Sequence, residues 1–193
     1  MRAPEYRRPH LCCVFSVGMN PQLTIAPSAA RIEARQKARS MPAIFDYRHL
    51  VVAEEIDALG HVNNLAYLAW MQAAALAHSA AQGWPAERYQ KLGLGWVVRS
   101  HEITYERPAL VDDEIAVRTW VAGFRRASSV RRYDVLRAAD GKRLATAATN
   151  WAFVNYANGM PARVPPEIIG AFELVGDGPS ANGATDETQM KHG

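Results

Sequence analysis

The chain has 193 residues, with 49% hydrophobic and 21% charged side chains and a net charge of +3. This is the composition of one folded domain with a real core, not of a disordered chain. The charge excess is too small to argue for nucleic acid, and no apolar run reaches the roughly 18 residues that a membrane span needs.

Residues 1–43 carry Pro4, Pro9, Pro21, Pro27 and Pro42 among arginines and lack steady periodicity, so they read as a disordered or dispensable leader. Within it, Leu11 to Met19 is a short apolar patch behind Arg2, Arg7 and Arg8, a weak signal-peptide layout. Residues 31–39 can form a short polar helix, and Met41 is an alternative start. The two cysteines, Cys12 and Cys13, both lie in this stretch. The remainder therefore has no disulfide framework and no thiolate metal site, which fits a cytoplasmic setting.

Ile44 to Val52 reads as a first strand. The segment Asp57-Ala-Leu-Gly-His-Val-Asn-Asn64 then marks the change from strand to helix pattern. Asn63 or Asn64 supplies an N-cap. The helix runs to about Gln82, with Leu65, Leu68, Met71, Ala75 and Leu76 as its apolar stripe and Gly83 ending it. Pro85 opens a short helix that stops near Gly93. Four extended segments follow, near 94–107, 112–124, 127–140 and 142–156, and Asp140-Gly141 is a strong hairpin turn. Residues 176–193 read as a disordered tail, leaving 44–175 as the folded domain.

One long helix followed by consecutive strands, with no helices between them, makes the class α+β with a five-stranded antiparallel sheet. Such a half-covered sheet pairs readily with another copy, so a homodimer or homotetramer is expected.

The residues around the first helix also point to chemistry. Asp57 is an ionisable group beside a helix N-terminus, whose free N–H groups can hold developing negative charge. A nucleophile or base next to an oxyanion site is what acyl transfer requires. Gly60 allows the tight turn that carries Asp57 back over the helix end. No Gly-x-Ser-x-Gly elbow, Walker sequence or Gly-x-Gly-x-x-Gly is present. Asp57, His61, His78 and His101 fall on separate elements without ligand spacing, so no metal site is expected.

Asp57, Gly60, Tyr67 and Trp70 together resemble the pattern of the hot-dog fold acyl-CoA thioesterases of the 4-hydroxybenzoyl-CoA thioesterase-like family. The resemblance covers about 44–174, and the strand–helix–strands order agrees with a sheet wrapped around one long central helix. Gly-Phe-Arg-Arg-Ala-Ser-Ser-Val-Arg-Arg (123–132) is similar to the family's third-to-fourth strand connection. His-Val-Asn-Asn-x-x-Tyr also resembles plant acyl-carrier-protein thioesterases, which carry an Asn where this chain has Leu59.

The resemblance implies hydrolysis of an acyl-CoA to a free acid and coenzyme A, which is part of the substrate, so no cofactor is expected. It implies Asp57 as nucleophile or general base and the Asn64 backbone N–H as donor to the thioester oxygen. His61 would orient water or Asp57, or protonate the leaving thiolate, or serve only as a strut. Asn63 caps the helix, and Tyr67 and Trp70 form pocket wall or core. Arg125, Arg126, Arg131 and Arg132, with Ser128 and Ser129, would meet the nucleotide phosphates. The alternatives are a non-catalytic acyl-CoA binding or sensing module on the same fold, an acyl-carrier-protein thioesterase, and a hot-dog dehydratase, for which no second constellation is evident.

Overall fold

A computed structural model describes residues 42–178. Nearly all of the expected leader, including its possible 31–39 helix, and most of the expected tail lie outside these residues. Five strands are present: β1 Ile44–Leu50, β2 Leu94–Tyr105, β3 Glu114–Arg125, β4 Ser128–Arg137 and β5 Arg143–Asn155. Three helices accompany them: α1 Asn64–Ala81, α2 Ala86–Leu92 and α3 Pro166–Ile169. A 3-10 turn at Ala53–Glu55 and the short α3 were not legible in the sequence; the other elements fall within one to three residues of expectation.

The strands form one antiparallel sheet in the order β1-β3-β4-β5-β2. The first two strands in the chain are therefore the two edges. α1 and α2 carry the backbone across one face of the sheet from one edge to the other. This is the hot-dog arrangement, and it puts the loop ahead of α1 at one end of the helix-covered face.

Strand alternation decides what points at the helices. On β4, Ser129, Arg131, Tyr133 and Val135 face inward and are buried, whereas Ser128, Val130, Arg132 and Asp134 face away. Tyr133 and Val135 join Val117, Leu144, Tyr67, Trp70 and Met71 in a core beneath α1. A second cluster, Trp84, Tyr89, Val121, Phe153, Val164, Ile168 and Phe172, seals the far end of the sheet. The segment around α3 supplies part of this second core, which keeps residues 164–172 packed on the domain.

The face that α1 buries is not the expected leucine stripe. Ala66, Tyr67, Trp70, Met71, Ala74, Ala75 and His78 are buried, while Leu65 is 74% and Leu76 54% exposed. Of the expected stripe, Met71 and Ala75 are buried and Leu68 is half-buried. Small side chains at Ala66, Ala74 and Ala75 let the helix lie close on the sheet, and the Tyr67 and Trp70 rings fill the remaining volume. α1 is apolar on several sides, so periodicity alone could not choose between the two faces.

Candidate active site

Asp57 opens a tight turn ahead of α1. The Gly60 N–H donates to the Asp57 carbonyl at 3.0 Å, and the Asp57 N–H donates to the His61 carbonyl at 2.7 Å. Gly60 sits at φ +79, a conformation that glycine adopts without strain. The base of the turn is pinned by an Ile56–Val62 bridge. The Asp57 carboxylate accepts on Oδ1 from the Leu59 and His61 N–H groups, at 2.8 and 3.3 Å. Its Oδ2 has no partner among the described residues, and the side chain is exposed. One oxygen therefore holds the geometry while the other is free for chemistry.

Asn63 is the N-cap. Its Oδ1 accepts from the Ala66 N–H at 3.0 Å, and its Nδ2 donates to the Glu55 carbonyl at 2.8 Å. Asn64 begins α1, and its backbone N–H has no acceptor among the described residues. Helix geometry leaves the first N–H groups unpaired and adds a favourable dipole there. Asp57 and the Asn64 amide thus belong to one short loop and the helix start that it feeds. His61 is exposed, and its link to Asp57 runs through its backbone N–H; its ring makes no hydrogen bond among the described residues.

Tyr67 is 3% exposed. Its hydroxyl accepts from the Ala109 N–H at 3.3 Å, and its ring meets Tyr105 edge-on at 5.1 Å. Burial raises its pKa. It belongs to the core beneath α1, with its polar end already engaged.

Glu55 is a residue that sequence reasoning missed. Its Oε1 accepts from Trp70 Nε1 at 2.7 Å, and its Oε2 meets His49 Nε2 at 2.9 Å and the Val52 N–H at 3.1 Å. Burial alone would raise its pKa, but hydrogen bonds from His49, Trp70 and Val52 outweigh that and hold it below the ordinary value. Glu55 ties β1, the 3-10 turn and α1 together behind the Asp57 turn. No local motif announces this, because its side-chain partners, His49 and Trp70, lie six and fifteen residues away.

The arginine-rich segment divides between the two sheet faces. Arg125 and Arg126 are exposed at the β3–β4 turn. Arg125, Ser128 and Arg132 line a cavity of about 540 Å³ with Arg99, Ser100 and Asn150. This cavity opens on the face turned away from α1. Arg131 points the other way: it is 6% exposed, and its Nη1 donates to His78 Nδ1 at 2.8 Å and to Thr119 Oγ1 at 3.3 Å. Arg131 and Arg132 are adjacent in a strand, so they cannot share a face. Arg131 therefore does not stand with Arg125 and Arg126.

Among the described residues no three metal-ligating side chains cluster, and no helix is long and apolar enough to cross a membrane.

The profile of the thioesterase-like superfamily matches residues 51–172. The chain belongs to this superfamily. The match begins at the end of β1 and closes beyond α3, so it takes in the Asp57 turn and all of α1. Solved structures share the fold. A hypothetical protein from Aquifex aeolicus is 25% identical, with a TM-score of 0.62 over 67% of this chain and 99% of its own. A 1,4-dihydroxy-2-naphthoyl-CoA thioesterase from Synechocystis is 18% identical, with a TM-score of 0.62 over 66% of this chain and 94% of its own. An acyl-ACP thioesterase from Bacteroides thetaiotaomicron is 19% identical, with a TM-score of 0.64 over 78% of this chain and 60% of its own. No curated protein matches the chain.

Proposed function

We propose that this superfamily member hydrolyses an acyl-CoA thioester to a free carboxylic acid and coenzyme A. The observation that carries the reading is the free Oδ2 of Asp57, in a turn that leads directly to the unpaired Asn64 amide. Thioester hydrolysis needs one group to deliver oxygen to the acyl carbon and another to take the charge that appears on the carbonyl oxygen.

Two routes fit. Asp57 attacks the acyl carbon, the C–S bond breaks, the thiolate leaves, and water then hydrolyses the mixed anhydride. Alternatively, Asp57 takes a proton from water, and the resulting hydroxide attacks. In both, the Asn64 N–H and the α1 dipole stabilise the tetrahedral oxyanion. The Synechocystis neighbour, named as a thioesterase on an aromatic acyl-CoA, supports the substrate class at the level of fold.

Arg125, Ser128 and Arg132 are assigned to the phosphates at the nucleotide end, because their cavity is open and lined by three arginines. It lies on the far face of the sheet from α1. A substrate must therefore pass a sheet edge or cross a subunit boundary to use both regions. Edge strand β2 supports the second route, since Val97 and Val98 are 38% and 39% exposed there. An unpaired edge with apolar side chains is a surface for a second copy.

The test is release of free thiol from a panel of aromatic, short-chain and long-chain acyl-CoAs by the full chain, with carrier-protein thioesters alongside. Hydrolysis of a CoA ester supports the reading. Tight acyl-CoA binding without thiol release favours a binding module, and turnover of carrier-protein thioesters alone favours a carrier-protein thioesterase.

A further inference from the structure

The helix-facing side of the sheet is largely apolar, but one row across it is polar. Arg131 on β4 pairs with Thr149 on β5, and Thr149 pairs with His101 on β2. Arg131 and Thr149 are buried, and His101 is exposed at the sheet edge. His101 Nδ1 lies 2.9 Å from Thr149 Oγ1. Two further polar atoms flank the row: Tyr133 Oη on β4 and Trp151 Nε1 on β5. Both are buried, and neither has a partner in good hydrogen-bond geometry among the described residues, although the Thr149 and Trp151 side chains lie close enough to Tyr133 Oη to favour its ionised form.

Arg131 has no carboxylate partner among the described residues. Its two acceptors are the His78 ring and the Thr119 hydroxyl. Arg131 can only donate, so His78 Nδ1 accepts and its Nε2 carries the ring proton. Burial, and next the Arg131 charge, lower the His78 pKa to about 4, so His78 is neutral. The guanidinium thus keeps its charge in the interior opposite neutral groups, His78 and Thr119, both met through Nη1. Buried charges are ordinarily paired, and buried donors ordinarily bonded. The buried Arg131 charge without a carboxylate and the Trp151 N–H on the same sheet face both favour an acceptor, and the Tyr133 hydroxyl can donate to one.

The patch is also reachable. α1 packs on β1 and β3 and α2 on β2, and His101 and Tyr105 on β2 remain exposed. Tyr105 is 43% exposed at one end of that strip. Tyr105 touches Tyr67, which lies one turn into α1 from the Asn64 amide. The strip therefore starts beside the proposed thioester position and passes Ile103 to reach His101 and the polar row.

We propose that the acyl group of the substrate carries a carboxylate at the end remote from the thioester, and that Arg131, Tyr133 and Trp151 receive it. This rests on the acyl-CoA reading above. The guanidinium and the indole N–H only donate, so the complementary group is an acceptor, and an anion also neutralises the buried charge.

The test separates binding from turnover. Non-hydrolysable thioether analogues of coenzyme A are titrated calorimetrically into the full chain, as carboxyalkyl and plain alkyl pairs of short, medium and long reach. The carboxylated member is expected to bind roughly ten to a hundred times more tightly at the length that reaches the row. Arg131→Met should lose that preference and keep alkyl binding; an apolar side chain of similar size is tolerated at such positions. Tyr133→Phe should reduce the preference while keeping the melting temperature. Tyr133→Phe and the wild-type comparison decide the matter even if Arg131→Met fails to fold. Equal or tighter binding of alkyl analogues at every length overturns the inference and leaves the acyl-CoA reading standing, as does a preference that survives Arg131→Met. No binding of either analogue overturns the acyl-CoA reading, and this inference with it.

Discussion

Trp70 donates its indole N–H to Glu55 Oε1 at 2.7 Å, which ties the second turn of α1 to the segment that precedes the Asp57 turn. The other Glu55 oxygen takes His49 and the Val52 N–H. Glu55→Ala removes all three bonds and leaves the Trp70 N–H unpaired beside the core. It should lower stability by roughly 1–3 kcal/mol, measured by urea denaturation. Glu55→Gln retains one acceptor oxygen and should cost less. Equal stability of Glu55→Ala and wild type would show that this bridge does not hold the turn.

Asp57→Asn separates fold from chemistry. The amide oxygen can accept from the Leu59 and His61 N–H groups as Oδ1 does, so the turn should keep its shape and its melting curve. The charge is lost, and with it the nucleophile or base. Thiol release should fall by roughly a hundredfold to ten-thousandfold. Wild-type turnover in this variant would remove Asp57 from the reaction.

Arg125→Ala tests the nucleotide assignment. It should raise KM for coenzyme A esters by roughly two- to fivefold, the scale of an exposed ion pair. Pantetheine thioesters, which lack the nucleotide, should show no change. An equal effect on both substrates would rule out a phosphate contact by Arg125.

His78 makes stability depend on pH in a defined direction. Its folded-state pKa is lowered to about 4, from an ordinary 6.5, because burial and then Arg131 oppose its charge. Above 6.5 it is neutral in both states and contributes no pH dependence. Below that, the unfolded chain binds a proton that the folded chain refuses, so stability falls between pH 6.5 and about 4. The loss approaches about 3 kcal/mol at the lower end. Denaturation curves of wild type and His78→Asn across this range should converge as pH falls; parallel curves would contradict the assignment.

Replacing Val97 and Val98 together with lysine places charge on the β2 edge. If a second copy pairs there, sedimentation should show the assembly giving way to single chains. An unchanged mass would locate any assembly elsewhere.

Much of the fold was legible because its signals are local. The Gly60 turn, the Asn63 cap and the Asp140-Gly141 turn each act within a few residues, and alternating side chains mark the strands. The same locality makes the nearness of Asp57 and the Asn64 amide legible, since both belong to one loop and the helix start that it leads into. Three features needed the tertiary structure. α1 buries Tyr67, Trp70 and Met71 instead of Leu65 and Leu76 because the closeness of helix to sheet is set by strands that are distant in the chain. Glu55 gains its role only when β1 and α1 bring His49 and Trp70 to it. Alternation along β4 required Arg131 and Arg132 to part, but only the helix lying over one face could decide which of them is buried. Local sequence sets backbone conformation through short-range sterics and hydrogen bonds, whereas burial is a property of the surfaces that meet after the sheet has paired.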